Sequence, residues 1–238
     1  MAIPWVGRGD PFPPVESALP DPDGLLAAGD DLSSERLADA YTRGIFPWFG
    51  AGDPVLWWSP DPRAVLWLRD VHVSRSLRRT IRSAGYRVTL DTAFPRVVAA
   101  CAEPREAGGD TWITASMAEA YGGLALLGYA HSVEVWSGSD LIGGLYGVAL
   151  GRMFYGESMF SRRPDASKLA LVYLARQLEE WGFELIDCQV FSAHLASLGA
   201  SMIPRAEFVQ AVDRLVRQSG GVSPWALAPD LLETVRVR

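Results

Sequence analysis

The strongest constraint on the fold is a run of three strand-like segments joined by tight turns, followed by a helix and one more strand. The three segments are His131–Trp136, Leu141–Leu150 and Arg152–Phe160. Turns at residues 137–140 and at Gly151 predict that these segments pair antiparallel. An amphipathic helix, Asp165–Trp181, and a strand, Phe183–Val190, come next. A strand that returns after a helix runs parallel to the strand before the helix, which predicts a mixed sheet and an α/β fold.

Charge divides the chain into two parts near residue 62. Residues 1–62 carry ten acidic and three basic side chains, a net charge of −7, whereas the rest of the chain carries +1. Six prolines precede the first predicted helix, Ser33–Arg43, and the prolines at residues 54, 60 and 62 mark a turn-rich link into the second part. We therefore predict a small acidic N-terminal domain at residues 1–62 and a larger domain at residues 63–238.

The composition argues against several classes of protein. With 238 residues, 49% of them hydrophobic, and a net charge of −6, the chain is globular and is not expected to coat nucleic acid. No apolar run approaches the ~18 residues of a membrane span, and no secretory signal is seen at the start, so we expect a cytoplasmic protein that does not bind membranes. Cys101 and Cys188 lie far apart, and no metal-ligand spacing is present. No metal is therefore expected.

Short sequence motifs give little support for nucleotide binding or hydrolysis. The patterns HExxH, GxxxxGK[ST] and GxSxG are absent. The run Gly143-Gly144-Leu145-Tyr146-Gly147 is only superficially like a nucleotide-binding loop, because it lies inside a predicted strand. We interpret these glycines as positions of close backbone packing.

Polar side chains interrupt two of the predicted apolar strands. Glu157 lies in one strand, where alternation would place it on the same face as Tyr155 and Met159. Asp187 and Gln189 lie in the other, on one face by the same rule, with the cysteine between them on the opposite face. Buried acids are costly unless they are paired, so these residues predict a polar site with apolar walls. A polar network that only holds the strands together is an equally good interpretation.

A local excess of arginine stands out in an acidic protein. Residues 69–87 contain six arginines and one aspartate. On the predicted helix Ser74–Ser83, four of these arginines share one face: Arg75, Arg78, Arg79 and Arg82. Such a face suits contacts to phosphate groups. The alternative is a solvated helix face that pairs with the acidic N-terminal domain.

Four motifs, in order and at consistent spacing, resemble the bacterial leucyl/phenylalanyl-tRNA–protein transferases. They are residues Tyr41–Phe49 (YTRGIFPWF), Trp57–Arg63 (WWSPDPR), Gly156–Ser161 (GESMFS) and Leu185–Val190 (LIDCQV). The resemblance extends from about Leu25 to Pro204. It implies a small N-terminal domain followed by a domain with the fold of the GNAT acyltransferases, which agrees with the predicted order of strands.

The resemblance also implies an activity. Enzymes of this family transfer leucine or phenylalanine, and less efficiently methionine, from aminoacyl-tRNA to proteins with an N-terminal arginine or lysine. The product enters the N-end rule degradation pathway. The donor ester is already activated, so no cofactor is expected, and a monomer is expected. The alternative is an N-acyltransferase that uses acyl-CoA, but residues 161–167 contain no glycine that would help cradle a pyrophosphate.

Site residues follow from the same resemblance. Gln189, Asp187 and Glu157 are the implied catalytic residues. We interpret the amide of Gln189 as an orienting hydrogen-bond acceptor because an amide is a very poor base, with Asp187 supplying a negative field. The implied contacts to the aminoacyl-adenosine end are Trp48, Trp112, Tyr41, Tyr121, Phe154, Met159 and Leu174. The helix face at residues 75–82 is implied to bind the tRNA.

Overall fold

The computed structural model describes residues 3–83, 85–104, 111–220, 224–229 and 231. Its helices are α1 Ser34–Thr42, α2 Arg75–Arg82, α3 Phe94–Cys101, α4 Ala115–Leu126, α5 Ala166–Glu180, α6 Ala193–Ala196 and α7 Arg205–Val216. Its strands are β1 Trp5–Val6, β2 Leu25–Gly29, β3 Phe46–Pro47, β4 Val55–Trp58, β5 Arg63–Trp67, β6 Arg87–Leu90, β7 Ala130–Ser137, β8 Asp140–Leu150, β9 Met153–Ser161, β10 Leu185–Gln189 and β11 Ser201–Ile203.

The strands form two sheets. The N-terminal sheet has the order β1-β2-β4-β3, and the larger sheet has the order β11-β5-β10-β9-β8-β7-β6. In the larger sheet β7, β8 and β9 form an antiparallel meander, and β10 returns after α5 to lie parallel to β9. The predicted mixed α/β fold is confirmed. The two sheets divide near residue 62, while the division into two domains there stays a prediction.

Local sequence signals explain where the helices begin. The hydroxyls of Ser33, Ser74 and Thr114 each accept a backbone N–H from the first turn of α1, α2 and α4. On α2, Leu77 and Ile81 are buried while the arginines face outward. This division fixes the orientation of the helix against the sheet.

Glycines in β8 allow close approach of neighbouring backbone. A Cβ at Gly143 would lie 2.5 Å from the Cβ of Ala166 at the start of α5. A Cβ at Gly147 would lie 2.2 Å from the carbonyl oxygen of Tyr155 on β9. Both distances are shorter than any side chain tolerates, so the interpretation of these glycines as packing positions is confirmed.

One hydrophobic core extends across both sheets. Leu37 and Trp57 of the N-terminal part lie in the same buried cluster as Val148 and Phe208 of the larger part. A second cluster on the opposite face of the large sheet packs α2 and α5 against it. The N-terminal sheet is therefore attached by buried apolar surface, the largest favourable contribution to folding.

Two irregularities in the large sheet shape the region of interest. The register between β8 and β9 changes from Tyr146–Ser158 to Gly147–Gly156, which leaves Glu157 as an extra residue in a bulge. The prediction that Tyr155 and Met159 share a face was wrong, because this bulge reverses the alternation and the two side chains pack into opposite clusters. A corresponding register change in β10 falls at Cys188.

Candidate active site

A cavity of about 840 Å³ lies where β9 and β10 stop pairing. Their parallel ladder ends at the pair Tyr155–Asp187, and the cavity is lined by residues that follow this point in both strands. The bulges at Glu157 and Cys188 lie within two residues of this last pair. The irregular backbone of the two strands therefore separates them at the cavity.

One side of the cavity is apolar. It is lined by Leu145, Phe154, Met159, Leu171, Leu174 and Ile186. The predicted wall residues Phe154, Met159 and Leu174 are among them. Tyr121, predicted with them, is not one of the lining residues, because its fully buried ring lies behind Glu157.

The other side of the cavity carries Glu157 against two tyrosines. The Tyr41 hydroxyl lies 2.7 Å from Oε1 of Glu157, and the Tyr121 hydroxyl lies 2.6 Å from Oε2. The two hydroxyls are also 2.7 Å apart. Three short contacts need three protons, and the two hydroxyls supply only two. The third contact is satisfied when the carboxyl group carries a proton.

Burial has a matching effect on the acidity of this group. It raises the pKa of Glu157 from its ordinary value of 4.5 to about 7, and the negative charge of Asp187 raises it further. Hydrogen bonds from the two tyrosines and the charge of Arg63 oppose this rise. Burial also raises the pKa of Tyr41 and Tyr121, so both hydroxyls stay protonated as donors. A carboxyl group with a pKa near 7 exchanges its proton at neutral pH.

Asp187 and Gln189 occupy the end of β10, next to an arginine that the sequence analysis did not select. Arg63 of β5 donates from Nε and Nη2 to the two carboxylate oxygens of Asp187, at 2.8 and 2.7 Å. The backbone N–H of Gln189 donates to the same carboxylate at 3.0 Å. The Gln189 side chain lies 3.5 Å from Oε1 of Glu157. The expected negative field of Asp187 is therefore largely cancelled by a paired cation.

Two tryptophans, Trp48 and Trp112, line the same cavity. Trp48 is 45% exposed, and its ring lies 5.7 Å from that of Trp58. The Trp58 indole N–H donates to the Trp48 carbonyl at 2.6 Å, which fixes the segment after β3. Trp112 is half-buried before α4 and lines the same cavity. This exposure leaves the Trp48 ring available for stacking, unlike the ring of a residue buried between two sheets.

The predicted arginine face is exposed and lies outside the cavity lining. Arg75, Arg78, Arg79 and Arg82 all point to solvent from α2. Within the part of the chain that the structure describes, no acidic side chain forms an ion pair with Arg75, Arg78 or Arg79. For these three, the described residues give no support to the alternative of pairing with the acidic N-terminal part.

Two further observations concern metals and membranes. The described residues contain no group of three His, Cys, Asp or Glu side chains placed to hold a metal ion. None of the described helices combines the length and the apolar character that a bilayer crossing requires.

Sequence comparisons identify relatives over most of the chain. The family model of leucyl/phenylalanyl-tRNA protein transferase matches residues 65–213, and that of the family's N-terminal domain matches residues 30–61. The leucyl/phenylalanyl-tRNA–protein transferase of Thiobacillus denitrificans is 60% identical over 90% of this chain and 94% of its own length. That of Nitrosospira multiformis is 54% identical over 97% of this chain and 100% of its own. This chain belongs to the leucyl/phenylalanyl-tRNA protein transferase family.

Solved structures outside the family are similar only in part. L-PGS from Bacillus licheniformis matches with a TM-score of 0.40 and 11% identity, covering 71% of this chain and 55% of the other. A GCN5-related N-acetyltransferase from Kribbella flavida matches with a TM-score of 0.36 and 13% identity, over 68% and 57% of the two chains. Scores this low carry no argument about the site of this family member.

Proposed function

We propose that this protein transfers leucine or phenylalanine, and less efficiently methionine, from aminoacyl-tRNA to the N-terminal arginine or lysine of acceptor proteins. The observation that carries this proposal is an apolar cavity that meets a buried Glu–Tyr–Tyr cluster, in a chain that belongs to the transferase family. The product is proposed to enter the N-end rule degradation pathway. The enzyme is proposed to act as a monomer in the cytoplasm, where aminoacyl-tRNA is made.

The proposed reaction replaces an ester bond with an amide bond. The acceptor amine attacks the carbonyl carbon of the ester, the bond to the ribose oxygen breaks, and a proton moves from the amine to that oxygen. An N-terminal amine has a pKa of about 7.7–8.0, so it is partly neutral near pH 7. The ester supplies the free energy of the step. The protein therefore has to position the amine and the carbonyl and to stabilise the developing charge.

We assign Glu157 and Gln189 to the contacts with the reacting groups. Glu157 lines the cavity with a pKa of about 7, so its carboxyl group is suited to binding the amine and exchanging a proton with it. The Gln189 side chain lies beside it and is proposed to orient the amine. Tyr41 and Tyr121 are proposed to hold the Glu157 carboxyl in place from behind.

The donor side chain is proposed to enter the apolar half of the cavity. Leucine, phenylalanine and methionine share apolar character and similar size, and they offer no polar group to recognise. A hydrophobic pocket separates such neighbours by only about 1–3 kcal/mol, which accounts for use of more than one donor. Phe154, Met159 and Leu174 would contact this side chain, and Trp48 and Trp112 would stack on the terminal adenine.

The arginines of α2 are proposed to hold the body of the tRNA. Their exposure and the absence of described ion pairs at Arg75, Arg78 and Arg79 support phosphate contacts. Contacts to phosphate and sugar increase affinity without selecting a sequence, because the major groove of A-form RNA is too narrow for side chains to read.

A direct assay tests the proposal against the acyl-CoA alternative. Purified protein is incubated with labelled leucyl-tRNA and a peptide that begins with arginine, and in parallel with labelled acetyl-CoA and the same peptide. We expect labelled leucyl-peptide from the first mixture only. A peptide with N-terminal glycine serves as the matched acceptor control. Product from acetyl-CoA alone would refute the proposed donor.

A further inference from the structure

Arg63 is a completely buried arginine whose hydrogen bonds join β5 to β10 and to the loop before β3. Its side chain and that of Asp187 are both 0% exposed, and two N–H groups of the guanidinium meet both carboxylate oxygens. Nη1 donates to the carbonyl of Gly44 at 3.1 Å. A two-point contact of this kind fixes the plane of the carboxylate as well as its distance.

Aromatic rings enclose the same guanidinium. Its central carbon lies 4.7 Å from the ring centre of Phe46 and 4.5 Å from that of Phe208. These rings come from β3 and α7, so Arg63 is held by parts of the chain far apart in sequence. It has little freedom to change position when a substrate binds.

The Asp187 carboxylate, held by Arg63, in turn binds the backbone of Gln189. Its Oδ1 accepts the backbone N–H of Gln189, and Gln189 has a φ of +56°, in the left-handed region that side chains other than glycine rarely adopt. The register of β10 with β5 changes at this point. The strained backbone conformation directs the Gln189 amide towards Glu157 and the cavity.

We propose that Arg63 is a positioning residue for the transfer reaction, because it clamps Asp187 so that the carboxylate holds the backbone of Gln189 in its left-handed conformation. This inference rests on the proposed function. Asp187 then acts through the geometry of its hydrogen bonds, and its net charge is not needed once that of Arg63 is also removed.

A neutral pair of variants separates geometry from charge. Asp187→Asn alone leaves the buried charge of Arg63 without a partner. The double variant Arg63→Gln, Asp187→Asn removes both charges and retains an amide that can accept the Gln189 N–H. Misplacement of reacting groups by about 1 Å can cost about 100-fold in rate, so we expect the single variant to lose about that much in kcat. A Gln–Asn pair can form a neutral hydrogen bond between the same two positions, so the double variant is expected to recover about tenfold of this loss without reaching the wild-type rate.

The pH dependence gives a readout that a merely structural role would not move. The charges of Asp187 and Arg63 act on the pKa of Glu157 in opposite directions. Removing both therefore leaves the acidic limb of the pH–rate profile near its wild-type position, whereas Asp187→Asn alone moves it to lower pH. Equal kcat losses in the single and double variants, or a displaced limb in the double variant, would overturn the inference.

Two further variants keep the test decisive if the neutral pair does not fold. Arg63→Lys keeps the cation but loses the two-point contact, so we expect kcat to fall about 10- to 100-fold while KM for aminoacyl-adenosine changes little. Arg205→Gln is the matched control, because Arg205 also binds across the junction through the Ser59 carbonyl but does not touch the site. Unchanged kcat in Arg63→Lys, or an equal loss in Arg205→Gln, would show that Arg63 is only structural.

Wild-type protein in the same assay separates a failure of the proposed function from a failure of the positioning role. If the wild type forms no product from aminoacyl-tRNA, the proposed function fails. If the wild type is active and the variants behave against expectation, the positioning role of Arg63 fails alone.

Discussion

Replacing Glu157 by glutamine is expected to stabilise the folded protein at alkaline pH while impairing transfer. The pKa of Glu157 is raised from 4.5 to about 7, so the folded state holds a proton that the unfolded state has already released. Stability from this group is fully present below pH 4.5 and is lost as the pH rises through 7. Glutamine supplies an N–H donor in place of that proton and does not titrate.

The size of the effect follows from the same pKa. The full difference corresponds to about 3 kcal/mol, of which about 2 kcal/mol develops between pH 5.5 and pH 8.5. Partial exposure to the cavity reduces this figure, so we expect Glu157→Gln to gain about 1–2 kcal/mol of relative stability across that range. This pH range lies above the isoelectric point near 5.1, and so avoids the pH at which the protein is least soluble.

Urea unfolding of the wild type and the variant at a series of pH values measures this gain. Other titrating groups contribute equally to both proteins and cancel in the difference. Glu184→Gln provides a control of opposite sign, because two hydrogen bonds from Arg214 hold the pKa of Glu184 below its ordinary value. The loss of folding stability caused by Glu184→Gln should be complete at neutral pH and should shrink as the pH falls. If the difference in unfolding free energy between Glu157→Gln and the wild type does not vary with pH, the raised pKa of Glu157 is refuted.

Three other variants test the site and the arginine face separately. Tyr121→Phe removes a hydrogen bond that favours the Glu157 carboxylate, so the acidic limb of kcat/KM should move to higher pH, and an unmoved limb would exclude Glu157 as the titrating group. Trp48→Ala should weaken binding of aminoacyl-adenosine by about 1–3 kcal/mol without lowering Tm; loss of Tm instead would make the ring structural. Reversing Arg78 and Arg79 to Glu should weaken tRNA binding and reduce its log–log salt slope by roughly 0.7–0.9 per lost contact. Reversing Arg217 to Glu should leave tRNA binding and its salt slope unchanged. If the Arg78 and Arg79 reversal impairs transfer from aminoacyl-adenosine as much as transfer from tRNA, the assignment of these arginines to tRNA binding is contradicted.

Much of the fold was predictable because its signals are local. Two tight turns predicted the meander, an amphipathic pattern predicted the helix, and the return of a strand after that helix predicted the parallel pairing. The structure reproduces them with shifts of one or two residues at most ends. The glycines of β8 were also interpreted correctly, since a glycine inside a strand is most useful where another backbone comes close.

The parts that sequence reasoning missed are long-range or irregular. Alternation along β9 fails at Glu157, because a bulge adds one residue that no local pattern announces. The contact between Tyr41 and Glu157 spans 116 residues, and that between Arg63 and Asp187 spans 124. A charged residue at the start of the apolar strand Arg63–Trp67 was the available signal for the second contact. A buried arginine in a strand, like a buried acid, is costly unless it has a partner of opposite charge.

The core shared by the two sheets limits how this chain can change during evolution. Tyr41 and Gly44 come from before residue 62, and their partners Glu157 and Arg63 come from after it. A chimera that joins the first 62 residues of one relative to the remainder of another divides these contacts between two parents. We therefore expect the segments to be inherited together, and the whole chain to melt in one calorimetric transition despite its two sheets.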